Sequence, residues 1–183
     1  MEIYLAGPDV FLPDALDIGQ RKREICARHG MTGLYPLDNV IDLSASDASM
    51  QIFKGNQAMM DACDAIIANL TPFRGPGADA GTVYELGYMA GRGKLCLGYS
   101  NDPSPYPMRA ARFGDVTTAP DGRLIDRQGL TVEDFGHPDN LMMMHALDLH
   151  GCPLLVPQEM PADIWRDLAS FEACVRLAAA RAR

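Results

Sequence analysis

A doubly wound α/β fold, with a mostly parallel sheet and helices on both faces, is the architecture this sequence predicts. Short apolar runs alternate with amphipathic stretches in the order β-α-β-α-β-α-β, an order that favours right-handed crossovers between parallel strands. The run Ala65–Leu70 is apolar apart from Asn69, as a strand covered on both faces should be.

The first strand is expected over Glu2–Ala6, stopped by Gly7-Pro8. Leu12–Arg28 carries Leu16, Ile18, Ile25 and Cys26 among many charges and reads as a surface helix ending at His29-Gly30. Thr32–Leu37 is a short second strand. Ser44–Ala62 places Ile52, Phe53, Met59 and Met60 at helical spacing. The third strand is Ala65–Leu70. A helix over Thr82–Arg92 and a fourth strand over Lys94–Tyr99 follow. Residues 100–138 are rich in Pro, Gly, Asp and Arg. They are expected to form a long loop insertion with little regular structure, functional or interfacial in role. Leu141–Ala146 reads as a short helix and Leu154–Val156 as a weak strand. Asp163–Arg183 reads as an amphipathic helix presenting Ile164, Trp165, Leu168, Phe171 and Val175. No repeat or second domain is evident, so residues 1–183 are taken as one domain.

Composition narrows the function. Of the 183 residues, 48% are hydrophobic and 22% charged, as in a globular chain. The net charge of -8 repels a phosphate polymer, so a nucleic-acid partner is not expected. A small neutral or weakly polar substrate fits better. The five cysteines are an odd number without CxxC spacing, which suits buried thiols and a reducing, cytoplasmic setting. Met1 leads directly into Ile3-Tyr4-Leu5, so no signal peptide is expected. No apolar run reaches the ~18 residues of a membrane span. The four histidines lack metal-ligand spacing, and neither metal nor cofactor is expected. A Ser-His-Asp signature, GxGxxG and a Walker loop are all missing from the sequence.

The richest segment is Asp79-Ala-Gly-Thr-Val-Tyr-Glu85-Leu-Gly87. It puts two carboxylates just past the carboxyl end of a parallel strand, where open α/β sheets bind ligands. Glu85 has two readings. Thr82-x-x-Glu85 matches a capping box, with Thr82 as the N-cap. Alternatively, Glu85 is a nucleophile kept ionised near a helix N-terminus. Asp79 is either a turn residue or an acceptor for a substrate hydroxyl. Tyr4 alternates with Ile3 and Leu5; it is either core or a hydroxyl whose buried partner would be a carboxylate such as Glu85. Gly7-Pro8-Asp9 should form a tight loop lining the same cleft. Asn56 is either a surface amide or one that faces the cleft and reads a heterocycle edge as donor and acceptor together. Three consecutive methionines, Met142–Met144, cannot share one helix face, so some must meet a ligand or another subunit.

Four segments occur together in an order that resembles the nucleoside 2-deoxyribosyltransferases. They are Ile3-Tyr4-Leu5-Ala6-Gly7-Pro8-Asp9-Val10-Phe11, Asn69-Leu-Thr-Pro-Phe73-Arg74-Gly75, Asp79-x-Gly81-Thr82-x-x-Glu85-Leu-Gly87 and Asn140-Leu-Met142. The resemblance runs from Ile3 to about Leu149. It implies a flavodoxin-like, Rossmann-like fold and ping-pong transfer of 2-deoxyribose between nucleobases. The partners would be small-molecule deoxynucleosides and free nucleobases. Glu85 matches the family nucleophile, Tyr4 the tyrosine that positions it, and Asp79 the aspartate that holds sugar hydroxyls. Asn140 matches a residue lent by a neighbouring subunit, with Met142 beside it, so a homo-oligomer is implied. Phe11, Phe73 and Arg74 lie within the matching segments and join Gly7, Pro8, Asp9 and Asn56 as candidate substrate contacts, Arg74 without an assigned role. Asn56 stands where many members carry an aspartate that contacts or protonates the base. An amide is a poor acid, so protonation would fall to solvent, to Asp9 or another residue, or to the chain terminus.

Cleavage of the glycosidic bond builds positive charge at C1′, which a nearby anion stabilises. Capture of the glycosyl-enzyme by a second base gives transfer; capture by water gives hydrolysis. Water exclusion therefore matters, and the 100–138 segment with Met142–Met144 is expected to help seal the site. Two alternatives remain: an N-glycoside hydrolase of deoxynucleosides or deoxynucleotides with the same nucleophile, and a non-catalytic nucleotide-sensing module.

Overall fold

The computed structural model describes residues 1–39 and 41–182. Four parallel strands form the sheet: β1 (Glu2–Ala6), β2 (Thr32–Leu34), β3 (Ala65–Asn69) and β4 (Leu95–Tyr99), in the order β2-β1-β3-β4. β1 pairs with β2 on one side and with β3 on the other. The winding direction reverses between β1 and β3, and such reversals open a crevice at the carboxyl ends of the strands.

Side-chain alternation along β1 divides the core. Ile3 and Leu5, with Ile67 and Leu97, pack with residues of α1 (Ala15–Arg28) and α6 (Ala169–Arg181). Tyr4 and Ala6, with Ile66 and Ala68, pack with residues of α2 (Ala48–Ala62), α3 (Ala80–Gly91) and α5 (Leu141–His150). A one-residue slip would exchange the two faces. This register is what turns Tyr4 toward α3.

Several element boundaries differ from expectation, each for a local reason. The first helix starts at Ala15 rather than Leu12, because Leu12 precedes Pro13 and is held extended; a 3-10 turn over Pro8–Phe11 fills the gap. β2 ends at Leu34, since Pro36 opens another 3-10 turn, Pro36–Asp38. α2 begins at Ala48, as Asp42 takes the amide and hydroxyl of Ser44 into a turn. The final helix begins at Ala169: the Asp163 carboxylate captures the amides of Trp165 and Arg166, so Ile164 and Trp165 leave the helical face. Arg183 lies outside the described residues. The expected strand at Leu154–Val156 shrinks to bridges beside β4, with the Leu155 amide donating to the Gly98 carbonyl and its carbonyl accepting from Ser100.

The 100–138 segment is more ordered than a loop. It holds α4 (Tyr106–Ala110) and a hairpin of β5 (Val116–Thr118) and β6 (Leu124–Asp126), with Gly122 at φ 86° in the turn. Arg109 of α4 is buried 3.3 Å from buried Asp139 and ties the insertion to the entry of α5. Pro and Gly punctuation conceals these short elements in the sequence.

Candidate active site

A crevice opens at the carboxyl ends of the strands, where the sequence is expected to place Asp79 and Glu85. A cavity of about 440 Å³ is lined by Gly7, Val10 and Phe11 after β1, by Pro36, Leu37 and Asn39 after β2, by Ile52 and Asn56 of α2, and by Asp79, Thr82 and Glu85. A second cavity of about 370 Å³ adjoins it and shares Ile52, Asn56, Gly81 and Glu85. Exposed Phe53 and Tyr84 border this second space.

Asp79, not Thr82, caps α3. Its backbone is extended, and its Oδ2 accepts from the Thr82 amide at 2.9 Å and from the Thr82 hydroxyl at 3.0 Å. The helix therefore starts before Thr82, and Glu85 falls beyond the reach of a capping box. No backbone amide among the described residues holds its carboxylate. The Tyr4 hydroxyl donates to Glu85 Oε1 over 2.6 Å instead. Asp79 Oδ1 has no protein partner among the described residues.

Burial is the main force on Glu85 and pushes its pKa up to about 7. The Tyr4 hydrogen bond opposes that rise, and the Asp79 carboxylate adds to it. Tyr4 itself is driven far above the ordinary phenol range, by burial first and then by Glu85. It is a neutral donor at every accessible pH.

The loop after β1 divides its residues. Gly7, Val10 and Phe11 face the cavity, whereas Pro8 and Asp9 are buried behind it. Asp9 thus departs from its expected place in the cleft. Its carboxylate pairs with buried Lys22 at 2.6 Å and accepts from Asn69 Nδ2 at 3.0 Å. A carboxylate so occupied and only 1% exposed is no proton donor to a ligand. The Lys22 ammonium also lies over the rings of Tyr99 and Phe171, at 5.6 and 5.2 Å.

Phe73 and Arg74 do not line the cavity but buttress it. Phe73 stacks on Phe11 with centroids 5.3 Å apart, Trp165 meets Phe73 edge-on, and the Arg74 guanidinium covers both phenylalanine rings. Arg74 adopts φ 56°, a left-handed conformation that is uncommon outside glycine.

Asn140 and Met142 lie elsewhere in the same chain. Asn140 caps α5, its Oδ1 accepting from the Met142 amide at 3.0 Å and its Nδ2 donating to Glu133 at 2.8 Å. It lines a separate cavity of about 420 Å³ between α4 and the hairpin. Met143 and Met144 are core residues, while Met142 is 72% exposed. The expected seal is therefore absent within one chain: none of the described residues of 100–138, nor Met142–Met144, lines either cavity at Glu85.

Sequence reading missed Leu37, Asn39, Ile41 and Leu43, which line the larger cavity. The available signal was Pro36 after β2, which ends a strand and turns the chain over the crevice. All five cysteines are buried, and burial lifts their thiols, Cys96 to about 11; thiolate chemistry has no foothold here. Among the described residues no group of three His, Cys, Asp or Glu is placed to hold a metal ion. No helix of the described residues is long and apolar enough to cross a membrane.

Comparison with known proteins places the fold and the family. A 2-desoxiribosyltransferase from Leishmania mexicana superposes with a TM-score of 0.64 and 32% identity, over 96% of this chain and 97% of that one. A conserved protein from Enterococcus faecalis V583 shares the fold, with a TM-score of 0.59 and 19% identity over 99% of this chain and 98% of that one. An uncharacterized protein of Schizosaccharomyces pombe is 36% identical over 155 residues, spanning 76% of this chain and 74% of that protein. The sequence pattern of the family described as nucleoside 2-deoxyribosyltransferase matches residues 3–142, from the strand bearing Tyr4 to the cap of α5, and the chain belongs to that family.

Proposed function

We propose that this chain transfers 2-deoxyribose between nucleobases by two displacements at C1′, with Glu85 as the nucleophile. One observation carries the reading: Glu85 stands at the wall of a cavity with one oxygen held by Tyr4 and no backbone amide among the described residues holding its carboxylate. In the first displacement a Glu85 oxygen bonds to C1′ while the C1′–N bond breaks, and its electron pair leaves with the base. In the second, a nitrogen of the incoming base bonds to C1′, the C1′–O bond of the ester breaks with its electron pair returning to the Glu85 carboxylate, and the base gives up its N–H proton to solvent. Two inversions restore the starting configuration.

Asp79 keeps its cap through Oδ2 and offers Oδ1 to a sugar hydroxyl. Its negative charge disfavours a 5′-phosphate in the same place, which supports free deoxynucleosides over deoxynucleotides. Asp79 and Glu85 are the ionisable residues lining the larger cavity. With Asp9 sealed away, solvent supplies the proton to the departing base. Water competes with the acceptor base for the intermediate, and a second copy of the chain, bringing Asn140 and Met142 over the opening, would limit that competition.

The test is to trap the intermediate. After incubation with a purine deoxynucleoside and digestion, the peptide containing Glu85 should gain the mass of one deoxyribosyl unit. Normal turnover by Glu85→Ala with no adduct would remove the mechanism. Product analysis with and without an acceptor base separates transfer from hydrolysis.

A further inference from the structure

One wall of the larger cavity is built from two amides. Asn39 follows the Pro36–Asp38 turn and Asn56 lies in α2; both line the cavity. Asn39 Nδ2 donates to the Pro36 carbonyl at 3.4 Å and to Asn56 Oδ1 at 3.3 Å. A peptide carbonyl can only accept, so it fixes which end of the Asn39 amide is nitrogen. Asn56 must then turn its oxygen to Asn39. What remains free of protein partners among the described residues is an acceptor, Asn39 Oδ1, and a donor, Asn56 Nδ2, on two residues that line the same cavity.

Gly55 supplies an independent observation. It lies in the interior of α2, where glycine is a poor choice for helix stability. A Cβ at this position would come 2.7 Å from Asn39 Nδ2 and 2.9 Å from Asn39 Cγ. The bare backbone is the seat on which the Asn39 amide rests.

We propose that Asn39, seated on Gly55, orients the Asn56 amide so that the pair reads a nucleobase edge carrying an N–H donor beside an acceptor. The lactam of a 6-oxopurine and the amidine of a 6-aminopurine both present such an edge. This rests on reading the cavity as a nucleoside site and names what recognises the base there. Both amides are neutral, so the wall selects a neutral tautomer and moves no proton. Leu37, Ile41 and Ile52 line the same cavity and suit the apolar faces of a ring.

The experiment titrates the full chain with hypoxanthine, and with unsubstituted purine, whose six-membered-ring edge has acceptors but no donor. Asn39→Leu and Gly55→Ala should each weaken hypoxanthine by about tenfold or more, the worth of a hydrogen bond or two, and leave purine within about twofold. Gly55→Ala should unfold no lower than wild type, because only the tip of Asn39 has to move. Unchanged hypoxanthine affinity in the folded variants, or equal losses for purine, would overturn the proposal. If wild type shows the expected binding pattern but turns over no deoxynucleoside, the transferase reading falls and the amide wall stands. If wild type turns over deoxynucleosides but binds both bases alike in every variant, the amide wall falls and the transferase reading stands.

Discussion

Tyr4 and Glu85, 81 residues apart in the chain, meet across 2.6 Å because β1 turns Tyr4 toward α3 while Asp79 starts that helix early enough to free Glu85 from capping. The hydrogen bond both orients the carboxylate and favours its ionised form against burial. Tyr4→Phe removes only the hydroxyl. Without that bond the Glu85 pKa should climb above about 7, and the rising limb of kcat/KM against pH should move to higher pH. Activity at neutral pH should fall about ten- to a hundredfold, in the range of lost charge-assisted hydrogen bonds. An unmoved pH profile would mean that Tyr4 does not set the ionisation of Glu85.

Stability and activity should respond to Glu85 in opposite senses. Its pKa is raised in the folded state from 4.5 to about 7, so between these values the folded protein binds more protons than the unfolded chain. Stability must then fall as pH rises through that window. The shift corresponds to something on the order of 3 kcal/mol at most. Glu85→Gln, neutral at all pH, should melt higher than wild type at pH 8 and lose that advantage near pH 5, while turnover disappears. Thermal unfolding across pH reads this directly. Equal melting differences at both pH values would count against a buried, destabilised anion.

Asp79→Asn should separate capping from charge. Asparagine retains an oxygen for the Thr82 amide, so α3 should keep its cap, whereas Asp79→Ala should cost about 1 kcal/mol of stability. Removing the negative charge also lowers the Glu85 pKa, because Asp79 pushes it upward. The activity limb of Asp79→Asn should therefore shift to lower pH even as substrate affinity falls. A shift the other way, with α3 still capped, would mean that the Asp79 charge does not raise the Glu85 pKa.

Beneath the Gly7–Phe11 loop, Lys22 and Asp9 form a pair that is 1% exposed on both sides. Breaking such a pair from one side strands a buried charge, at a cost of about 3–5 kcal/mol. Lys22→Met should lose that amount in denaturant unfolding, and adding Asp9→Asn should recover much of it. Salt should have little effect on the wild-type pair, since screening does not reach it.

How far the sequence speaks depends on the range of the forces involved. The four strands are legible because continuous apolar runs and period-2 alternation are local signals, and the crevice follows from their order. Glu85, Asp79 and Tyr4 stand out in the sequence as candidate residues, but their mutual geometry comes from register. Asp9 misleads because an acidic residue in a Gly-Pro loop looks solvent-facing, and only the tertiary approach of Lys22 turns it inward. Thr82 misleads because a capping box and an Asp cap three residues earlier share one local pattern. Asn39 lies between a predicted strand and a predicted helix, and only the tertiary approach of α2 brings it to Asn56. The hairpin of β5 and β6 hides under turn residues, in three-residue strands too short for a periodic signal.

Asn140 tests assembly. Within one chain it caps α5 and lines a different cavity from Glu85, so a role in sugar binding requires a second subunit. Neighbouring Met142 is 72% exposed, an unusual state for methionine and one that suits burial against another copy. If sites are shared, Glu85→Ala and Asn140→Ala chains are each inactive alone, for different reasons. In a random mixture some sites receive an intact Glu85 from one chain and an intact Asn140 from the other. About a quarter of wild-type activity should return in an equimolar dimeric mixture by random pairing, if one intact site per mixed dimer suffices. Mixed oligomers verified by native mass spectrometry that stay inactive would confine Asn140 to capping its own helix, and the Glu85 cavity would then have to work with the residues of a single chain.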